Sequence, residues 1–438
     1  MNKKDGVKSG MGIKRFKFST LFFIFSFLIL NFIAGCGSKT DSGAGAPEAP
    51  KEAKLTMWLV GSESQAATIN DIAKDFYGKT GISVKCDAIS WGEAHSKYLT
   101  SIAGQVAPDI GAMGLTWGTE FGILGSMLDL KSSYPDEVNA VKKSVFSGLW
   151  NSIEYRNKVY GVPFDMTECI LYYRSDIIKD PPETWEELVK LLADLDRSGK
   201  GMLFDWGSLN WIGYSPFLWQ AGGDYYSEDN SKVVIDSPEA AYGLKFFSEL
   251  YTKYGVPKTK IPLEQGIRTG DFPIAISGNW KIDDLRLLAP EMSGRWAIAA
   301  MPKGPSGKRT TFIGGRVIGI FSQSAHKEEA WAFIKYLSSP DTQKALYAAA
   351  FAKQDAYLPP NRKAWDIIDM DPALKKVLVL QAEDSKGPPA IANWDSYTKG
   401  IDNAIQKTVL QGADPSIELA AVKKELQARA EIIQKPER

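Results

Sequence analysis

The chain of 438 residues carries 52 basic and 52 acidic side chains, so it has no formal net charge and no electrostatic reason to bind nucleic acid. At 44% hydrophobic and 24% charged it can build a full core, and its length suits one large domain or two to three ordinary ones. Histidine occurs only as His95 and His326, too sparse for a rich metal cluster and of little use for acid–base work.

The chain opens with a targeting pattern. Lys3, Lys4, Lys8, Lys14, Arg15 and Lys17 precede the apolar run Leu21 to Phe32, which is short for a transmembrane helix and laid out like a secretion leader. Met1 and Met11 are both available starts. Ile33-Ala34-Gly35-Cys36 resembles the bacterial lipobox, so 1–35 read as a signal peptide and Cys36 as a lipidated residue. Residues 36–54, small, polar and proline-containing, read as a tether that follows the lipidated cysteine. Cys86 and Cys169 lie in apolar stretches and read as buried thiols, although export permits a disulfide.

The remainder alternates strand and helix. "LTMWLV" reads as a buried parallel strand, followed by a helix with Ile69, Ile72, Ala73 and Phe76 on one face and Gly81 at its end. "ISVKCDAI" and "APDIGAM" follow as second and third strands, which implies crossovers and a parallel sheet. A second set begins after hairpin punctuation at Asn157-Lys158. Thr184 with Glu187 forms a capping box, and Ser237-Pro238 has the favoured order for a helix start. Two α/β lobes are expected, because one core rarely grows across nearly 400 residues.

Several stretches, in order, resemble the sugar-type extracellular solute-binding proteins of ABC importers, relatives of maltose-binding protein. They are "ISWGEAHSKYLTSIAGQVAPDIGAMGLTWGTEFGILGSMLDL", "YGVPFDMTECILYYRSDIIKDPPETWEEL", "FLWQAGGDYYSEDNSKVVIDSPEAA", "ISGNWKIDDLRLLAPEMSGRWAIAAMPKGP" and "FIGGRVIGIFSQSAHKEEAWAFIKYLSSPDTQ". The resemblance implies a two-lobed α/β periplasmic-binding-protein fold (type II-like) with discontinuous lobes, a hinge and an interlobe cleft. One lobe would hold 55–163 plus 314–365, the other 164–313 plus 366–438, closing on ligand by hinge motion.

A sugar needs aromatic platforms for its C–H faces and polar groups for its hydroxyls, at strand ends facing a crevice. Trp280 follows an apolar strand and Ser277-Gly278-Asn279. The resemblance makes Trp280 a stacking residue and Asn279 a hydrogen-bonding one; packing at the lobe edge is the alternative. Trp117 ends the third strand as a second platform, and Trp394 matches a position that supplies a third, or else caps the C-terminal helices. Trp219 faces the cleft or the core, and one of Tyr172 and Tyr173 faces the cleft. Ser62, Glu63 and Gln65 open a helix after the first strand, where plain capping competes with ligand contact. Asp165 and Glu168 at the first crossing suit hydroxyl pairs, with Asp165 alternatively bracing the hinge. Arg316 departs from the resemblance. It serves either an internal bridge to Asp165 or Glu168, the favoured reading, or an acidic sugar.

The expected function is capture of a di- or oligosaccharide and its delivery to an ABC permease driven by a separate ATPase. The protein would be a lipid-anchored monomer on the outer face of the cytoplasmic membrane, with no catalytic residue, metal or cofactor. The rivals are a same-fold binder of another solute, or a glycoside hydrolase using Asp165 and Glu168 as paired carboxylates.

Overall fold

The computed structural model describes residues 53–434 apart from 205, 206 and 208. The leader, Cys36 and all but the last two residues of the tether lie outside the described residues.

The strands, in chain order, are β1 (Lys54–Val60), β2 (Ser83–Ile89), β3 (Ile110–Gly114), β4 (Glu154–Tyr155), β5 (Lys158–Val159), β6 (Val162–Pro163), β7 (Thr167–Arg174), β8 (Met202–Phe204), β9 (Ile274–Gly278), β10 (Trp296–Ala299), β11 (Thr311–Gly314), β12 (Arg316–Ile320) and β13 (Ser385–Lys386). They build two main sheets. The first has the order β2-β1-β3-β12-β6. Its β2, β1 and β3 run parallel, as the strand–helix alternation predicts. β12 and β6 depart from that expectation: β12 runs antiparallel to both β3 and β6, because the chain returns into this sheet from the opposite side. The second sheet has the order β13-β11-β7-β9-β8, with β10 also on β7, and is mostly antiparallel.

Local chemistry explains the boundaries. Ser62 accepts the Gln65 N–H and Gln65 accepts the Ser62 N–H, so the helix Glu63–Thr80 starts on a reciprocal cap and stops at Gly81 with φ +74°. Thr184 caps Trp185–Asp196, and Ser237 caps Pro238–Thr252 with proline in the first turn. Arg156 and Asn157, both at positive φ, make the two-residue turn between β4 and β5.

Both faces of the second sheet are covered. Along β7, Ile170 and Tyr172 join the apolar cluster that also fills the first sheet, while Cys169 and Leu171 join a separate cluster beneath the C-terminal helices. Cys86 and Cys169 are buried and form no disulfide with each other, and burial pushes the Cys86 thiol up to about 12.

Candidate functional site

The carboxyl ends of β1, β2 and β3 all point one way, and each opens a helix. The turn after β1 carries Ser62, Glu63 and Gln65, β2 leads to Trp91, and β3 leads to Thr116 and Trp117. Across from them, β9 leads through Gly278 and Asn279 to Trp280.

Arg316 lies where these pieces meet, and its charge is consumed internally. Its backbone N–H and Nε donate to the two oxygens of Asp165 at 2.7 and 2.8 Å, and Nη2 also reaches Asp165. Nη1 donates to the Val60 carbonyl at 2.7 Å, and the guanidinium lies 5.2 Å from the Phe164 ring centre. Both partners are buried. The bridge favoured from sequence is therefore present, and Asp165 braces the crossing rather than standing open. Gly315 makes the close approach possible: at φ +132° a Cβ would sit 2.5 Å from the Asp165 carbonyl oxygen.

Several residues chosen as ligand contacts are occupied elsewhere. Glu168 is 0% exposed, and its carboxyl oxygens have no hydrogen-bond partner among the described residues. Burial raises it well above the usual carboxylate range and so favours its protonated form, and the carboxyl does not face a crevice. Tyr172 is on the same buried face and donates to the Gly278 carbonyl at 2.7 Å. Trp394, 1% exposed, packs edge-on against Trp211 and Tyr225 at 5.3 and 5.1 Å, so it is core and not a platform. Trp219 is core as well, edge-on to Tyr225 with its indole N–H on Asp224 at 3.2 Å. Ser62 and Gln65 act as caps, and Gln65 also touches Ala356 and Arg316, while Glu63 is exposed. Asn279 substitutes for a strand neighbour. Its Oδ1 accepts the Glu168 N–H at 2.8 Å, and its own N–H donates to the Glu168 carbonyl at 2.9 Å.

Trp280 is half-buried, its ring folded over Gly278, where any Cβ would strike it at 1.9 Å. Its neighbours in sequence line a recess of about 390 Å³, counting its open mouth, which brings Asn279, Asp283 and Arg286 against Tyr347, Phe351 and Asp355. Burial pushes Asp283 up to about 6 against the opposing pull of Arg286, which hydrogen-bonds it at 3.4 Å and lies 4.8 Å from the Phe351 ring centre.

Trp117 is 8% exposed, and its indole N–H donates to Asp395. Thr116 donates to the same carboxylate at 3.4 Å. His95 packs on Trp117 at 5.0 Å, and its Nε2 meets Glu120 at 3.1 Å. That bond holds His95 above the ordinary imidazole value, and burial raises Asp395. His95, Glu120 and Asp395 place ligand atoms within 4.8 Å of one another, the set among the described residues that could approach a metal ion. Each is already hydrogen-bonded, which accounts for the cluster without one. The sequence reading missed this cluster and Trp91, which is 54% exposed and edge-on to Trp117 at 5.8 Å. The available signal was Trp91 directly after a strand, in the position that had drawn attention to Trp117.

The model of the family described as bacterial extracellular solute-binding protein matches residues 71–376. Among curated relatives, a maltooligosaccharide ABC transporter solute-binding lipoprotein of Streptococcus pneumoniae serotype 4 is 22% identical, over 88% of this chain and 92% of that protein. A diacetylchitobiose binding protein of Streptomyces coelicolor is 23% identical with the same coverage. Among solved structures, the sugar-binding protein MalE of Xanthomonas citri superposes with a TM-score of 0.77 at 23% identity, over 88% of this chain and all (100%) of that one. The two-lobed periplasmic-binding-protein fold is thereby shared.

Proposed function

The chain belongs to the bacterial extracellular solute-binding proteins, and from that premise we propose that it captures a neutral di- or oligosaccharide between its lobes and hands it to a membrane permease. Family members are binding components of transporters. In this reading the permease works with a separate ATPase, and Cys36 anchors a monomer at the outer face of the cytoplasmic membrane. The lobes are 55–163 plus 314–365 and 164–313 plus 366–438, hinged at the crossings.

One observation carries the reading: β9 ends on the half-buried Trp280, and Asn279 and the helix after it line a recess shared with residues that follow the first sheet. An aromatic face with fixed carboxylate and amide groups at a strand end is what a pyranose requires. Neutral cargo is favoured because Arg316 at the crossing is neutralised by Asp165, and Arg286 in the recess is paired with Asp283. The relatives named for maltooligosaccharide and diacetylchitobiose agree in ligand class. The paired-carboxylate hydrolase loses its support, since Asp165 is held by Arg316 and Glu168 is sealed.

Equilibrium dialysis with a labelled panel of neutral and acidic oligosaccharides tests this. Stoichiometric retention of an intact neutral sugar is expected. Release of shortened products, or retention of acidic sugars alone, would overturn it.

A further inference from the structure

Glu168 is a carboxyl group buried without a partner, and its surroundings are built that way. Along β7 it shares a face with Ile170 and Tyr172, in the apolar cluster that also holds Leu378 and Ala382 of the covering helix Pro372–Glu383. Ile313 stands opposite it on β11, and Asn279 spends its amide oxygen on the Glu168 backbone N–H. Gln381 of the covering helix is already bonded to Met301, Arg309 and Asp384, and the Tyr172 hydroxyl to Gly278. The charges of that helix, Lys375, Lys376 and Glu383, lie off its buried face. Those of the neighbouring elements are answered elsewhere: Asp165 by Arg316, Asp283 by Arg286, Lys281 by Asp284, and Asp355 by Ser64. Burial alone shifts Glu168.

The position is a crossing between the sheets. Met166, two residues earlier, donates its N–H to the Leu358 carbonyl. Leu358 and Asn279 both line the recess, which has the helix Lys281–Leu288 on one wall and Tyr347, Phe351 and Tyr357 on another. In this form Asp395 also ties the two cores together through Trp117. We propose, resting on the functional reading above, that Glu168 is a proton-linked latch: its neutral carboxyl permits the closed arrangement of the lobes, and loss of its proton drives them open. Rotation at the crossings parts the recess walls and hydrates the group. Closure then takes up a proton, and sugar capture, which selects the closed form, takes it up too. The sign follows from linkage. From about 4.5, the ordinary glutamate value, up to the raised value of the closed form, each pH unit weakens capture by up to about tenfold.

The test uses the full mature chain in two arms. Small-angle scattering without ligand should give the wild type a larger radius of gyration at pH 8 than at pH 5. Glu168→Gln and Glu168→Leu should give equal values at both. Titration calorimetry with maltose through maltohexaose and N,N′-diacetylchitobiose, in buffers of different ionisation enthalpy, should show wild-type affinity falling about tenfold or more from pH 5 to pH 8. Uptake should approach about one proton per sugar at pH 8. Asp283 titrates in all three proteins, so the difference between them isolates Glu168. Scattering that ignores pH in the wild type, or a pH response that the variants keep, overturns the latch. If sugars bind with the same pH dependence in all three, the latch falls and the functional reading stands. If none of these sugars binds, the functional reading fails and the scattering alone decides the latch.

Discussion

The carboxylate of Asp395 accepts the indole N–H of Trp117, and so joins the helix Trp394–Gln411 to the carboxyl end of β3. That helix is rooted in the core of the second sheet through Trp394, whereas Trp117 belongs to the core of the first. The bond therefore acts across the crevice. A hydrogen bond to a charged group contributes roughly 1.5–3 kcal/mol. Asp395→Ala should shift the ligand-free protein toward open forms by about tenfold or more. Small-angle scattering would show this as a larger radius of gyration without ligand; unchanged scattering would mean that the tie does not govern closure.

Breaking the Arg316–Asp165 bridge should be among the most damaging single changes. Both groups are buried, and either one left alone is an uncompensated charge. Arg316→Ala or Asp165→Ala is expected to lower unfolding free energy by about 3–5 kcal/mol. Arg316→Lys should rescue little, because an ammonium cannot span Asp165 and the Val60 carbonyl as the guanidinium does. Denaturant midpoints would decide this.

Glu168 gives a pH signature with a defined sign. Its folded-state value is raised above its unfolded one by burial. Its contribution is therefore intact below about 4.5, the unfolded value, and is lost as pH rises toward the folded value. Asp283 adds the same sign between 3.8 and about 6. Glu168→Gln keeps the shape without an ionisable proton. It should raise the melting temperature at pH 8 by at least about 2 °C and flatten the fall above about pH 4.5. Scanning calorimetry at pH 5 and pH 8 checks both, and an equal effect at the two pH values would contradict a protonated Glu168.

Trp280→Ala separates ligand contact from packing. The ring is half-buried, so the change should cost modest stability. It should lower saccharide affinity about tenfold or more by calorimetry. Unchanged affinity with a sharply lower melting temperature would make Trp280 a packing residue.

Much of the local structure was legible, for reasons that act within a few residues. Ser62 with Gln65, Thr184 and Ser237-Pro238 cap their helices as their chemistry requires. The bridge from Arg316, expected to Asp165 or Glu168, came instead from the resemblance that put these residues at the lobe crossings, and Asp165 is the partner. The candidate site was less legible because the second sheet is covered on both faces. Alternation along β7 says that Glu168 and Tyr172 share a side, but both sides are buried, so parity cannot reveal which residue meets solvent. Trp394 and Asp395 are sequence neighbours with opposite fates, one sealed in a core and one reaching Trp117. One residue step, about 100° around the helix, decides that, and no local propensity records it.

The guanidinium of Arg316 gathers Val60, Gln65 and Asp165, stretches separated by up to 256 positions along the chain. In a polypeptide delivered amino end first, the earliest strands must wait, incomplete, until β12 arrives to seal β3. Assembly of the leading half is thus timed by the trailing half, as expected where distant pairings dominate. A chain halted before residue 316 would leave the edge of β3 bare and vulnerable to proteases.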